Sequence, residues 1–521
     1  MRIPRRLMLA AALLMPGMMS GAGHAESVLR VVPQADLRVL DPHITQATVT
    51  RIYGLMVYDS LYAFDEQMRA RPQMVRELRV SDDRLTYDFT LRDGLAFHNG
   101  QPVTSADIIA SVPRAAKQDP IMQLMLRRIS RMEPVGPNGF RFVFSQPFPY
   151  VEDALATPGA MMMRAEDIAA AGDKPITTTI GSGPFRFVTS AYVPGARILF
   201  DRNPAYVSRD EPPNGNAGGK PVLVDKVEWQ IIPDLQTRVA ALQKGEVDLL
   251  DQLPHDGIQS LQGRRGIVVE PSSRFGSLAF MRLNTLQPPF NDVRARRAVA
   301  MVIRQTDYLS AAFTTDSNLW QECFSWFGCG TPNEVAAGSE PYRRPDPEQA
   351  KRLLAEAGYR GEPVVILSTQ EIPLIDGLAQ VAADELRSIG VNVDLQMSDW
   401  GTLVVRRARK DAAAQGGWNI FVSGGAVATM AQPATNILVD MRCDQNNYVG
   451  WPCSEEVEAM RSDLIENPTA EKYEAYSRAL WREMPSLLLG QYLQLVAYRS
   501  NVAGLQKGLL LSFFGVTKTG D

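Results

Sequence analysis

The chain has 521 residues, 45% of them hydrophobic, and a formal net charge of −4. At the usual domain size of about 150 residues this length predicts two or three folded units, not one compact core. An acidic balance with no cluster of Lys and Arg interleaved with aromatics excludes nucleic acid as the expected partner.

Arg2, Arg5 and Arg6 precede an apolar run from Leu7 to Met19, and small residues lead to Gly23-His24-Ala25. This predicts a secretory signal peptide over residues 1–25, cleaved after Ala25. The run is too short for a membrane span of about 20 residues, and no second run of that length follows. No cysteine follows it either, so a soluble periplasmic protein without a lipid anchor is expected. Arg5-Arg6 also permits a twin-arginine reading, although the surrounding residues match that pattern poorly. Removal of residues 1–25, with three arginines and no acid, takes the formal charge to −7.

Further along, Leu85, Tyr87, Phe89 and Leu91 alternate with polar residues, as do Phe140, Phe142 and Phe144; both stretches predict half-buried strands. Pro212 to Pro221 is rich in Pro, Gly and Asn and predicts an exposed loop. Asp346, Pro347 and Gln349 predict a helix with a capping box, ended by Gly358. A strand over Val364–Leu367, a helix over Leu378–Ile389 stopped by Gly390, and alternating Val391, Val393, Leu395 and Met397 complete a strand–helix–strand pattern, which predicts an α/β lobe.

Cys323, Cys329, Cys443 and Cys453 allow three pairings. In an oxidising compartment the two local pairs are expected, each closing a short loop. A four-cysteine zinc site is the sharper alternative, but neither pair has the two-to-four-residue spacing of zinc knuckles; two free buried pairs are the remaining one.

Catalytic signatures are sparse. His43, His98 and His255 have no second histidine at helical spacing, and no GxSxG sequence occurs. Gly215–Lys220 looks like a phosphate loop, yet its spacing is one residue short and Pro221 stands where Ser or Thr would bind magnesium. Glu246, Asp248 and Asp251 could form an acid–base pair, but acids flanking Leu249-Leu250 are expected on the surface. Neither an enzyme, nor a metal, nor a cofactor is expected.

The motifs that remain resemble a known family. Leu40-Asp41-Pro42, Tyr58-Asp59-Ser60-Leu61-Tyr62, Leu85 to Gly94 with Phe97-His98-Asn99-Gly100 and Thr104 to Asp107, Gly181-Ser182-Gly183-Pro184-Phe185, Asn203-Pro204-Ala205-Tyr206, Gly245 to Asp248 and Phe290 to Arg294 occur in one order along the mature chain. Together they resemble the extracellular solute-binding proteins of family 5, which include the dipeptide- and oligopeptide-binding proteins of ABC importers. His98 itself reads as a turn residue before Asn99-Gly100, not as a base.

The resemblance implies an α/β, two-lobed periplasmic-binding-protein fold of type II-like form, with a third subdomain inserted in lobe one. Lobe one would take 26–65, 177–270 and 485–521, the insertion 66–176, and lobe two 271–484. It also implies a monomer that binds a small molecule or short peptide between its lobes and delivers it to ABC importer permease subunits. A periplasmic chaperone or sensor on the same fold, or a secreted enzyme, are the other readings. Family position suggests Thr45, Gln46 and Thr48 on one wall of the cleft and Trp400, Trp418, Asn419, Ser423, Gly424, Gly425 and Gln432 on the other. Dipeptide binders of the family hold the ligand's amino group with an aspartate, where this chain has Ala431-Gln432-Pro433-Ala434-Thr435-Asn436. They hold its carboxylate with an arginine, where this chain has Gln370, Glu371 and Ile372. Loss of both anchors predicts a peptide read through its backbone, or another solute such as a modified amino acid or sugar conjugate.

Overall fold

A computed structural model describes residues 26–253 and 255–520. The predicted signal peptide therefore lies outside the described residues.

Two large sheets organise the chain. The first has seven strands, ordered Phe185–Phe187, Arg197–Arg202, Lys226–Gln230, Val28–Val32, Leu249–Leu250, Leu495–Arg499 and Ile267–Pro271. The second has six, ordered Trp320–Gln321, Leu487–Tyr492, Ser277–Leu283, Ile420–Ala426, Val364–Ser368 and Val393–Met397. Each sheet mixes parallel and antiparallel pairs. Strands with both faces covered carry apolar residues on successive positions, as Leu278 to Met281 do within Ser277–Leu283, all seven residues of which are buried.

The chain passes between these sheets twice, from Pro271 to Ser277 and back from Tyr492 to Leu495. Ser272 N–H donates to Gln494 O at 2.8 Å, tying the two crossings together. Gly276 sits in the first with φ of +62°, and a Cβ there would lie 2.1 Å from Tyr492 O. The backbone conformation and the close approach both call for glycine. Leu487–Tyr492 hydrogen-bonds into the second sheet, and the chain returns toward the first at Leu493-Gln494.

A separate four-stranded antiparallel sheet, Val75–Val80, Thr86–Leu91, Gly139–Phe144 and Ile129–Pro134, carries both alternating stretches seen in the sequence. Phe89 stacks on Phe140 with ring centroids 4.7 Å apart, and Phe142 joins them. Helix Ser105–Ala116 covers this core. Thr104 and Asp107 form a capping box at its start.

In the second sheet's lobe, Asp346 caps helix Pro347–Glu356 by accepting from Gln349 N–H at 2.9 Å. The other half of the expected box is replaced, because Gln349 Oε1 accepts from Arg352. The next helix starts earlier than its apolar spacing predicted, at Pro373, and ends at Ser388 before Gly390. The cysteines form two disulfides, Cys323–Cys329 and Cys443–Cys453, which removes the zinc alternative.

Candidate functional site

Several family-motif residues prove to be scaffold. Asp41 and Arg114 form a two-pronged buried ion pair at 2.9 and 2.7 Å. Burial alone would raise the Asp41 carboxyl, but Arg114 and the N–H groups of Ile176 and His43 hold it below its ordinary range. Asp59 and Lys220, both 1% exposed, pair at 2.7 Å, and Tyr206 O–H donates to Asp59 at 3.0 Å. The lysine of the phosphate-loop look-alike is therefore spent on this internal pair. His98 Nδ1 accepts from Gly181 N–H, while Nε2 contacts Gly183 O at 3.1 Å. Burial pushes its ring down to about 4. A Cβ on Gly181 would stand 1.8 Å from Val57 O, so that glycine is required by packing.

The acids around Leu249-Leu250 depart from expectation. Asp248 is fully buried, accepting from Arg30 N–H and pairing with Lys518, and Asp251 is buried as well; Glu246 alone is exposed. No catalytic pair arises from this arrangement, because Asp248 is engaged in holding Val28–Val32 and the carboxyl-terminal segment together.

In the second sheet, the parallel strands Val364–Ser368 and Val393–Met397, with Ile420–Ala426 beside them, end at one edge. Open α/β sheets place ligands outside the carboxyl ends of such strands. Trp400 lies at this edge, half-buried. Its N–H donates to Glu371 at 3.0 Å, and the Arg407 guanidinium sits 5.5 Å from its ring centroid. Ser423, Gly424 and Gly425 are half-buried at the end of their strand. Their glycines answer to internal neighbours: a Cβ on Gly424 would meet the Tyr492 hydroxyl at 2.3 Å, and one on Gly425 would meet Met430 Cε at 2.4 Å. The pairing of this strand with Val364–Ser368 stops at Phe421, so beyond it one edge of the backbone is not used by that neighbour.

Two of the expected wall residues lie in the interior. Trp418 is fully buried against Trp451, and its indole N–H donates to Arg409 O at 3.2 Å. Asn419, 2% exposed, accepts from Val365 N–H and donates to Pro288 O. Each is consumed by packing or by backbone groups that would otherwise be unpaired. Gln432 is half-buried, with its Oε1 3.4 Å from Asn333 Nδ2.

On the other side, Thr45 is half-buried and Gln46 and Thr48 are exposed, immediately before and at the start of helix Thr48–Val57. Gln46 Nε2 donates to Gln118 O at 2.6 Å. Asp119 then caps helix Pro120–Arg128. That helix forms one wall of a cavity of about 640 Å³ through Pro120, Gln123, Leu124 and Arg127. The opposite wall comes from Thr435, Asn436, Ile437, Tyr448 and Arg461. The ten predicted binding residues are not among its lining; Gln46 adjoins one wall through Gln118, and Gln432 precedes the other, which begins at Ala434, by two residues. Around the cavity the two sides touch directly: Arg128 pairs with Glu466 at 2.8 Å, and Ala434 and Ile465 pack into the aromatic core of the four-stranded sheet. Arg127, Tyr448 and Arg461, which line the cavity, were not anticipated.

Two sheets joined by paired crossings, with a cavity between facing elements, define a two-part ligand receptor. The profile of the bacterial extracellular solute-binding proteins, family 5, matches residues 69–447, and the chain belongs to that family. It is 38% identical to "Probable peptide ABC transporter periplasmic-binding protein y4tO" of Sinorhizobium fredii, over 95% of this chain and 94% of that protein. It is 24% identical to the glutathione-binding protein GsiB of Escherichia coli O1:K1, over 94% and 93% of the two chains. The substrate-binding protein CtaP of Listeria monocytogenes has the same fold, with a TM-score of 0.80 and 19% identity over 95% of this chain and all of that one.

Proposed function

We propose that this chain is the periplasmic capture subunit of an ABC importer, taking up a peptide or peptide-like solute between its two lobes and passing it unaltered to a membrane permease. The observation that carries the reading is the strand Ile420–Ala426, whose edge beyond Phe421 is left by its parallel neighbour at the carboxyl end of the sheet. An extended peptide can pair with such an edge through its own N–H and C=O groups. The peptide and glutathione names of the relatives y4tO and GsiB support the same cargo class. Trp400, Ser423 and Gln432 stand on this side, and Thr45, Gln46 and Thr48 on the other. Trp418 and Asn419 support the wall from behind. A solute that touches both sides favours the closed arrangement by its differential affinity for it.

Thermal-shift screening of the mature protein tests the reading. Di- and tripeptides, glutathione included, are expected to raise the melting temperature by several degrees at millimolar concentration. A response confined to free sugars or nucleosides would overturn the peptide assignment.

A further inference from the structure

Helix Thr48–Val57 carries one charged side chain, Arg51, among buried apolar neighbours. Arg51 follows Thr48 by three residues, which puts both on one helical face. Thr48 is exposed and Arg51 half-buried on that face. Its Nε is buried without a hydrogen-bond partner. Across Gly159, whose Cβ would lie 3.8 Å from Arg51 Nη2 and 4.0 Å from Asp119 Oδ2, stands the carboxylate of Asp119. That carboxylate accepts from Met122 N–H as the cap of helix Pro120–Arg128. The same helix presents exposed Arg127 to the cavity. The other arginines there, Arg442 and Arg461, are both paired with Asp440.

We infer that Arg51 is the anion anchor of the ligand site, receiving a carboxylate of the captured solute from the lobe-one side, with Arg127 adding positive charge at the cavity mouth. The assignment rests on the peptide-capture reading and deepens it. A planar guanidinium with donors unclaimed by the protein suits a carboxylate in two-pronged geometry. Burial lowers the Arg51 pKa and Asp119 only opposes that shift, consistent with a cation whose surroundings do not complete its compensation. The arginine missing beside Gln370 is thereby replaced from the opposite wall. The acids that line the cavity, Asp440 and Glu458, are both paired with Arg461, so the favoured solute carries a carboxylate without requiring a free α-amino group.

The test uses the mature protein, stripped of bound solute by mild denaturation and refolded. Alanyl dipeptides as free acids and as C-terminal amides, N-acetylated dipeptides, and reduced glutathione with its dimethyl ester are titrated calorimetrically into the wild type, Arg51→Gln and Arg51→Lys. The expected result is binding of at least one free acid, at least about tenfold loss for its neutral counterpart, and collapse of that preference in Arg51→Gln. Arg51→Lys retains the charge but not the fork and is expected to fall between them; it also serves if Arg51→Gln does not fold. Equal binding of acid and neutral forms by the wild type overturns the anchor while leaving peptide capture standing. So does an undiminished preference in Arg51→Gln. Silence from every member of the panel contradicts peptide capture and, with it, the carboxylate assignment.

Discussion

Among single residues, the buried charges are the most exacting. Asp59 and Lys220 are each 1% exposed and paired at 2.7 Å, so truncating one leaves the other charged and uncompensated in the interior. Lys220→Ala should destabilise the protein by about 3–5 kcal/mol in urea unfolding, whereas conversion of a rim pair such as Arg131–Glu133 should cost under about 1 kcal/mol. Histidines give a signed pH effect. Burial holds both His43 and His98 down to about 4, against 6.5 in the unfolded chain. Between those values the unfolded chain binds protons that the folded state refuses, so these two groups withdraw stability as pH falls from about 6.5 to 4. The buried carboxyls Asp251, raised to about 6, and Glu385, raised to about 7, act in the opposite direction. Replacing His98 by Gln leaves the carboxyls in place. The variant's melting temperature should therefore decline less steeply than the wild type's over that range; parallel curves would contradict the assignment.

At the level of elements, alternation and capping were legible where one local pattern decides the outcome. The phenylalanine-rich strands lie where the period of two places them, and Thr104 and Asp346 cap the helices that follow them. Less legible was anything set by tertiary partners. Trp418-Asn419 precedes a strand and could have faced either way; burial beneath Trp451 and the backbone demands of Val365 and Pro288 turned both inward. Glycines 424 and 425 were placed on the cleft wall by family position, and Tyr492 and Met430 occupy the space a Cβ would need there. Gly424→Ala is accordingly expected to lower stability by about 1–3 kcal/mol through overpacking, measurable even without ligand. The local disulfides followed from spacing and compartment. Replacing Cys443 and Cys453 together by Ser should remove roughly 2–3 kcal/mol in the chain-entropy picture, and reductant should have no further effect on that loop.

For the molecule as a whole, the order of the family motifs foretold the architecture, although the motifs themselves serve the scaffold. Asp41, Asp59, His98, Gly181 and Tyr206 are spent on internal hydrogen bonds and packing; none of them lines the cavity. We propose that the lobes divide at the paired crossings 271–277 and 492–495, with Gly276 as the point that must bend. Arg128–Glu466 and the insertion of Ile465 into the aromatic core then stabilise the closed arrangement. Arg128→Ala should leave the solute's contacts intact but speed its release several-fold, read as a higher dissociation rate.

The most direct measurement is mass spectrometry of small molecules released by denaturing protein purified from the periplasm, repeated after prolonged incubation with added excess of the same compound. The account predicts one carboxylate-bearing, peptide-like solute per chain, recovered at unchanged mass and concentration. A solute that is consumed or altered in mass during incubation would contradict capture without chemistry.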